Sequence, residues 1–101
     1  MVVKVNNSKI KITLTTGGNN YPSTGYSFAN SVIIRLNGTA LDENNLAGNT
    51  GWEVGESLYI GGSTPTLDDE ESAVGPLGLG TYDITITIIE TVIFDGIITI
   101  E

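Results

Sequence analysis

The closing stretch from Gly80 to Ile100 constrains the fold most. In Gly80-Thr81-Tyr82-Asp83-Ile84-Thr85-Ile86-Thr87-Ile88, apolar residues from Tyr82 onward hold the even positions, while Thr81, Asp83, Thr85 and Thr87 hold the odd ones. A period of two belongs to a strand with one buried face, because successive side chains point to opposite sides of a sheet. Val92-Ile93-Phe94-Asp95-Gly96-Ile97-Ile98-Thr99-Ile100 answers it as the returning strand of a hairpin. With Ile89, Glu90 and Thr91 as the loop, Ile88 faces Val92, Ile86 faces Phe94, Ile84 faces Gly96 and Tyr82 faces Ile98. Gly96 then reads as a bulge or kink. A turn at Asp95-Gly96 competes, but it would leave only Ile97 to Glu101 as the return strand.

Upstream, the same period recurs in shorter pieces. Met1 to Val5 reads as a short edge strand, and Lys9 to Thr15 turns Ile10, Ile12 and Leu14 inward, its two lysines suiting an edge. Ser31 to Leu36 turns Val32, Ile34 and Leu36 inward and meets Asn37-Gly38, a hairpin signal. Leu41 to Leu46 has room for one helical turn, and Ser57 to Ile60 is a short strand. Thr66 to Gly80 is a long, glycine-rich crossover. Five to seven short strands, a crossing connection and no long helix indicate an all-β fold. The expected architecture is an antiparallel Greek-key β-sandwich, immunoglobulin-like, with residues 1–101 as one domain. Gly80-Thr81-Tyr82 suits a tyrosine corner, with the phenol bonded upstream at Gly78.

Composition narrows the chemistry. The chain has no cysteine and no histidine, so disulfides, thiolate nucleophiles, a Ser-His-Asp triad and most zinc sites fall away. A net charge of −8, from 4 basic and 12 acidic residues, repels nucleic acid and anionic membrane surfaces. Charged residues are only 16 % of the chain and apolar ones 40 %, a balance that argues against disorder and suits a Thr- and Asn-rich extracellular β domain. Nothing in this sequence reads as a bilayer-spanning run or a signal peptide, so the domain itself is expected to make no membrane contact. No base supports any serine, and a non-enzyme without cofactors is the expectation.

Three groups of residues invite a binding role. Asp68-Asp69-Glu70-Glu71 clusters hard oxygen ligands suited to calcium, but lacks the alternate spacing and central glycine of a calcium loop; it reads first as a solvated charge run. Trp52, Tyr21 and Tyr26 present flat faces on which sugar rings stack, although Trp52, just ahead of a strand, reads first as core or core lid. Asn6-Asn7-Ser8 and Asn37-Gly38-Thr39 fit the N-glycosylation acceptor pattern, and the turn explains Asn37 equally well.

Lys11-Ile12-Thr13-Leu14-Thr15-Thr16-Gly17-Gly18-Asn19, Val32-Ile33-Ile34-Arg35-Leu36-Asn37-Gly38, Trp52-Glu53-Val54-Gly55-Glu56-Ser57-Leu58 and Gly80 through Gly96 stand in one order. Together they resemble the soluble part of archaeal type IV pilins and related archaellum-like subunits. Thr16 and Asn19 replace a histidine and an aspartate frequent around that family's glycine pair. The resemblance implies a non-catalytic β-sandwich head displayed at the cell surface, often glycosylated, on a filament or membrane-anchored stem for adhesion or motility. It also implies self-association through a hydrophobic N-terminal helix that this sequence does not contain. The alternative is a secreted carbohydrate- or calcium-binding sandwich module.

Overall fold

The computed structural model describes residues 1–6, 8–15, 25–27, 32–42, 46, 51–61, 64–73, 77–88 and 90–101. Its strands are β1 (Val2–Asn6), β2 (Lys9–Thr13), β3 (Tyr26–Ser27), β4 (Val32–Leu36), β5 (Thr39–Ala40), β6 (Gly51–Trp52), β7 (Ser57–Ile60), β8 (Thr66–Leu67), β9 (Gly80–Ile88) and β10 (Thr91–Ile100). They form two four-stranded antiparallel sheets, ordered β1-β2-β7-β8 and β10-β9-β4-β5, with a small third pairing of β3 with β6. No helix of the described residues is long and apolar enough to cross a membrane.

The chain lays down hairpins alternately, β1-β2 and β7-β8 in the first sheet, β4-β5 and β9-β10 in the second. Each later hairpin docks beside an earlier one, β7 on β2 and β9 on β4. The four large strands thus interlock across the core. An immunoglobulin sheet orders its strands A-B-E-D, so that the strand beyond E precedes it in the chain. Here β8 follows β7 directly through the Ile60–Thr66 connection, and the immunoglobulin order is not reproduced at that edge.

The core follows from the alternation. Ile10, Ile12, Leu58 and Ile60 from the first sheet meet Ile34, Ile84, Ile86 and Ile100 from the second, with Leu14 just past β2 and Leu46, Trp52 and Leu77 closing the cluster. Burying each such side chain stabilises the fold by about 1.5–3 kcal/mol relative to leaving it in water. The molecule measures 36 × 23 × 23 Å, its length matching a ten-residue strand at about 3.3 Å per residue.

The closing hairpin keeps three of the four expected facing pairs, Phe94 with Ile86, Gly96 with Ile84 and Ile98 with Tyr82. At its tip the pairing differs. Thr91 pairs with Ile88 and Val92 with Thr87, and a bulge between Val92 and Phe94 shifts the register by one. A shorter loop would have turned every following side chain to the wrong face, and the extra residue restores the alternation. Val92 is consequently outside, 57 % exposed. Gly96 is not the bulge. The Phe94 ring lies over it, so that a β-carbon at Gly96 would come within 2.8 Å of Cζ of Phe94, an aromatic cover over a strand glycine.

Two other expectations concern edges and turns. The lysine-bearing strand β2 is internal, flanked by β1 and β7, and β1 with Lys4 forms the edge instead. Lysines fit an internal strand here because Lys9 and Lys11 sit on the outer face, where Nζ of Lys9 donates to the Glu70 carbonyl (2.6 Å) and Nζ of Lys11 lies 5.6 Å from the Tyr59 ring centre. Asn37 (φ 51°) and Gly38 (φ 84°) make the β4–β5 turn as expected, both in the left-handed region that a type I′ turn demands. Most of the Leu41–Leu46 segment, expected to have room for a helical turn, lies outside the described residues.

The tyrosine corner is present: the Tyr82 hydroxyl donates to the Gly78 carbonyl at 2.7 Å. That bond anchors the crossover where it enters β9. Tyr82→Phe is expected to cost about 1 kcal/mol, the net worth of one neutral hydrogen bond, read as a shift in the midpoint of urea unfolding with the slope unchanged. An unchanged midpoint would show that the corner contributes nothing.

Candidate functional site

The chemistry-bearing residues gather at two places, the Trp52–Glu56 turn beside the Asp68–Ser72 segment and the outer face of the β9–β10 hairpin. At the first, Glu53 to Glu56 form a tight turn in which the Glu56 N–H donates to the Glu53 carbonyl (3.0 Å) and Gly55 has φ 96°. A left-handed third residue is the requirement of a type II turn, and glycine meets it without strain. This turn is stitched to the first sheet, Leu14 N–H to the Glu56 carbonyl (3.0 Å) and Gly55 N–H to the Leu14 carbonyl (2.8 Å).

Trp52 is fully buried under that turn, and its Nε1 donates to the same Glu56 carbonyl at 2.8 Å. It offers no face to a sugar. As a stacking residue Trp52 is therefore ruled out, because the ring that would have to face solvent fills the core. Tyr26 pairs with Trp52 across β3 and β6 and is half-buried against the core, so it is not a free stacking platform either. Tyr21 lies outside the described residues.

The acidic run is engaged locally. Asp68 bends the chain out of β8 (φ 53°), and its Oδ1 accepts from the Ser57 N–H at 2.8 Å. Asp69 accepts from the N–H of Ser72 (3.2 Å) and from its hydroxyl (2.6 Å), and its carbonyl accepts from the Thr66 hydroxyl. The Glu70 carbonyl receives Lys9 and the Ala73 N–H. Asp68 therefore ties to the start of β7 while Asp69 closes its own turn onto Ser72. Among the described residues no group of three acidic, histidine or cysteine side chains has the arrangement to hold a metal ion.

These bonds shape the titrations. The Ser72 hydroxyl, foremost, and its N–H hold the Asp69 carboxyl below the ordinary 3.8, because hydrogen bonds to the ionised form favour it. Partial burial pushes the Glu56 carboxyl above 4.5, opposed by a bond from the Glu53 N–H and reinforced by the neighbouring Asp68 and the charge of Glu53. Sequence order hides this meeting, since Glu56 and Asp68 are brought together only by the pairing of β7 with β8.

The second place was not legible either. Asp83 and Asp95 both face out on neighbouring strands, Asp95 opposite Thr85 and Asp83 opposite Ile97. A hydrogen bond with Asp95, foremost, then desolvation and the charge of Asp95 raise the Asp83 carboxyl above 3.8. A folded-state value above the unfolded one means the folded protein holds the proton more tightly. Stability from this pair is greatest at low pH and falls as pH rises through 3.8 toward the raised value. Asp95→Asn is expected to remove that fall, so the difference between wild type and variant, followed by thermal melting from acid to neutral pH, should grow with pH in the variant's favour. A constant difference would exclude the raising of Asp83 by Asp95.

The two acceptor asparagines differ. Asn37 is exposed and doubly tied to Asp83, its Oδ1 accepting from the Asp83 N–H (2.8 Å) and its N–H donating to the Asp83 carbonyl (2.8 Å). Asn37 thus fastens the β4–β5 turn to β9, and a glycan on Nδ2 would have to leave that Oδ1 bond in place. Asn6 ends β1 opposite Lys9, and its side chain lies outside the described residues. No protein-family model matches the chain, and neither a curated protein nor a solved structure is significantly similar to it.

Proposed function

We propose that this domain is the non-catalytic head of a surface-displayed protein, a pilin-like filament subunit or a membrane-anchored relative, working outside the cell in adhesion or motility. The observation that carries the reading is where the pilin-resembling blocks fall. They supply β2, β4, the Trp52 turn with β7, and the β9–β10 hairpin, which together build the core. Outside that core, Asp68 and Asn37 are bonded to the backbone of β7 and β9, and Asp69 and Tyr82 to turn or crossover backbone, and the polar, lightly charged exterior suits a filament surface. In this reading the self-association of a filament runs through a hydrophobic N-terminal helix, and Asn6 and Asn37 are the glycan attachment points.

Intact mass and N-terminal sequencing of the native protein from its own cells tests it. A hydrophobic segment of about twenty residues ahead of Met1, the length that spans or packs as a helix, is the expected result, and added glycan mass would agree with it. A native chain starting at Met1 without such a segment would overturn the filament reading.

A further inference from the structure

The ten-residue β10 lies at the edge of its sheet, with β9 on one side and no described residue paired on the other. Which of its backbone groups point outward follows from β9. Asp83 gives its N–H to the Asn37 side chain and its carbonyl to the Asn37 N–H, on the side away from β10. Ile97 faces Asp83, so it stands in a non-hydrogen-bonded pair and turns its own N–H and carbonyl outward. Alternation gives Asp95 and Thr99 the same direction, whereas Phe94, Gly96 and Ile98 bond to β9. Asp95, Ile97 and Thr99 also carry exposed side chains, Ile97 at 75 %. The bulge is confined to the start of the strand, and from Phe94 to Ile100 the pairing with β9 is regular. An open edge of this kind, blunted only by the charge of Asp95, is a template for another strand.

We propose that β10 of one copy of this chain pairs antiparallel with β10 of a second copy, about a two-fold axis at Ile97. Ile97 then faces its own counterpart and Asp95 faces Thr99, and each of these pairs exchanges N–H and carbonyl bonds because the groups point outward on both copies. The edge is complementary to itself. Its regular stretch is centred on Ile97, so this axis uses all of it, sets apolar side chain on apolar side chain and keeps the two aspartates apart. An axis at Gly96 or Asp95 would carry Thr99 or Ile97 of the second copy onto the bulge at Ile93, and one at Ile98 would set Asp95 against Glu101. The inner faces continue too, Phe94 opposite Ile100 and Gly96 opposite Ile98, which extends the apolar side of the sheet. The other long edge, β1, fits β10 less well. Leu14 uses its N–H and carbonyl on the Glu56 turn, which leaves Thr13 and Lys11 bonded to Val2 and Lys4 and turns the backbone groups of Val3 and Val5 outward. Pairing β1 with β10 in phase would therefore set Val3 and Val5, on the core side of their sheet, level with the outer-face Asp95 and Ile97.

Such a contact is isologous and closes as a dimer, joining two four-stranded sheets into one. The main-chain hydrogen bonds supply affinity and the facing side chains supply register. Each copy carries a net charge of −8, so the two repel, and added salt should strengthen the dimer by screening that repulsion. The inference goes beyond the surface-head reading and needs no N-terminal helix, so it can hold or fail separately from it.

Sedimentation velocity on the full chain between about 1 µM and about 1 mM, the range in which contacts of this small size dissociate, gives the first measurement. Monomer should pass to dimer as concentration rises. Ile97→Pro should weaken the dimer at least about tenfold while keeping the fold by circular dichroism, because the N–H it removes takes no part in the β9 ladder. Thr99→Lys should tighten it about fivefold by facing Asp95 of the second copy twice over, and adding Asp95→Asn should cancel that gain. The second measurement is amide hydrogen exchange by NMR at low and high concentration. Asp95, Ile97 and Thr99 should gain protection on association, while Phe94, Gly96 and Ile98, already bonded to β9, should change little. A wild type that stays monomeric to about 1 mM, an Ile97→Pro variant that associates as well as wild type, a Thr99→Lys variant that gains nothing, or new protection at Val3 and Val5 instead would each overturn the proposal.

Discussion

Trp52→Ala is expected to lower stability by about 3–5 kcal/mol, the usual cost of removing a buried large aromatic. For a domain of this size that corresponds to a fall in melting temperature of about 15–30 °C, a large share of the 5–15 kcal/mol typical of native proteins. The reason is geometric. Trp52 is fully buried, in contact with the core drawn from both sheets, and holds the Glu56 carbonyl through Nε1. Trp52→Phe keeps most of the packing and gives up the hydrogen bond, and it should cost about 1–2 kcal/mol; the Glu56 carbonyl retains its bond from Leu14. Differential scanning calorimetry on both variants checks the order. If alanine left the melting temperature within a few degrees of wild type, the indole would not be a core residue, and a role for it as an exposed sugar platform would return.

Gly25→Ala should come second, at about 3 kcal/mol. Gly25 has φ 94°, a conformation strained for any residue with a β-carbon, and that carbon would sit 1.9 Å from the carbonyl oxygen of Trp52 and 2.9 Å from Cα of Glu53. Backbone cannot swing aside as a side-chain tip can. The methyl therefore has to lift Tyr26 off Trp52 and break the β3–β6 pairing, adding overpacking to torsional strain. Gly38→Ala is the matching control. Its φ is 84° but nothing lies within 4 Å of the added carbon, so only the strain remains, about 1 kcal/mol. Equal losses at the two positions in urea unfolding would show that the close approach at Gly25 is not there.

Both variants bear on how the sheets are joined rather than on any reaction. Trp52 and Gly25 lie on β6 and at the mouth of β3, the small pairing that spans the gap between the large sheets in the chain order. Weakening it should loosen one end of the sandwich while the β9–β10 hairpin keeps its own ladder. Amide hydrogen exchange on Trp52→Phe would display that gradient, with protection lost around Trp52 before it is lost at Ile84 and Ile86.

What was readable from residues alone was whatever depends on neighbours a few positions apart. The alternation of Ile84, Ile86 and Ile88 specifies a strand and its buried face; Asn37-Gly38 specifies a turn; the Gly78 and Tyr82 spacing specifies the corner bond. Burial of Trp52 followed from its size and its place before a strand. The edge position of Met1 to Val5 was readable too, but the internal place of β2 and the meetings across the sheet were not. Lys9 and Lys11 suit an edge by composition, yet β2 is internal because β1 pairs outside it and the lysines find partners on the outer face. The bulge at Ile93 is a consequence of where the loop closes, one residue earlier than the alternation suggests.

The sequence by itself therefore determined an all-β chain with a threonine- and isoleucine-patterned closing hairpin, one aliphatic core and no thiol or imidazole chemistry, because side-chain period and composition are local or additive properties. Only the tertiary structure decided the two sheet orders, the displacement of Val92 to the surface, the meeting of Glu56 with Asp68 and of Asp83 with Asp95, and the placement of β10 at an open edge. Those features depend on which strand pairs with which, and pairing is set by the joint burial of two sheets whose residues are tens of positions apart, a term that no single stretch of the chain contains.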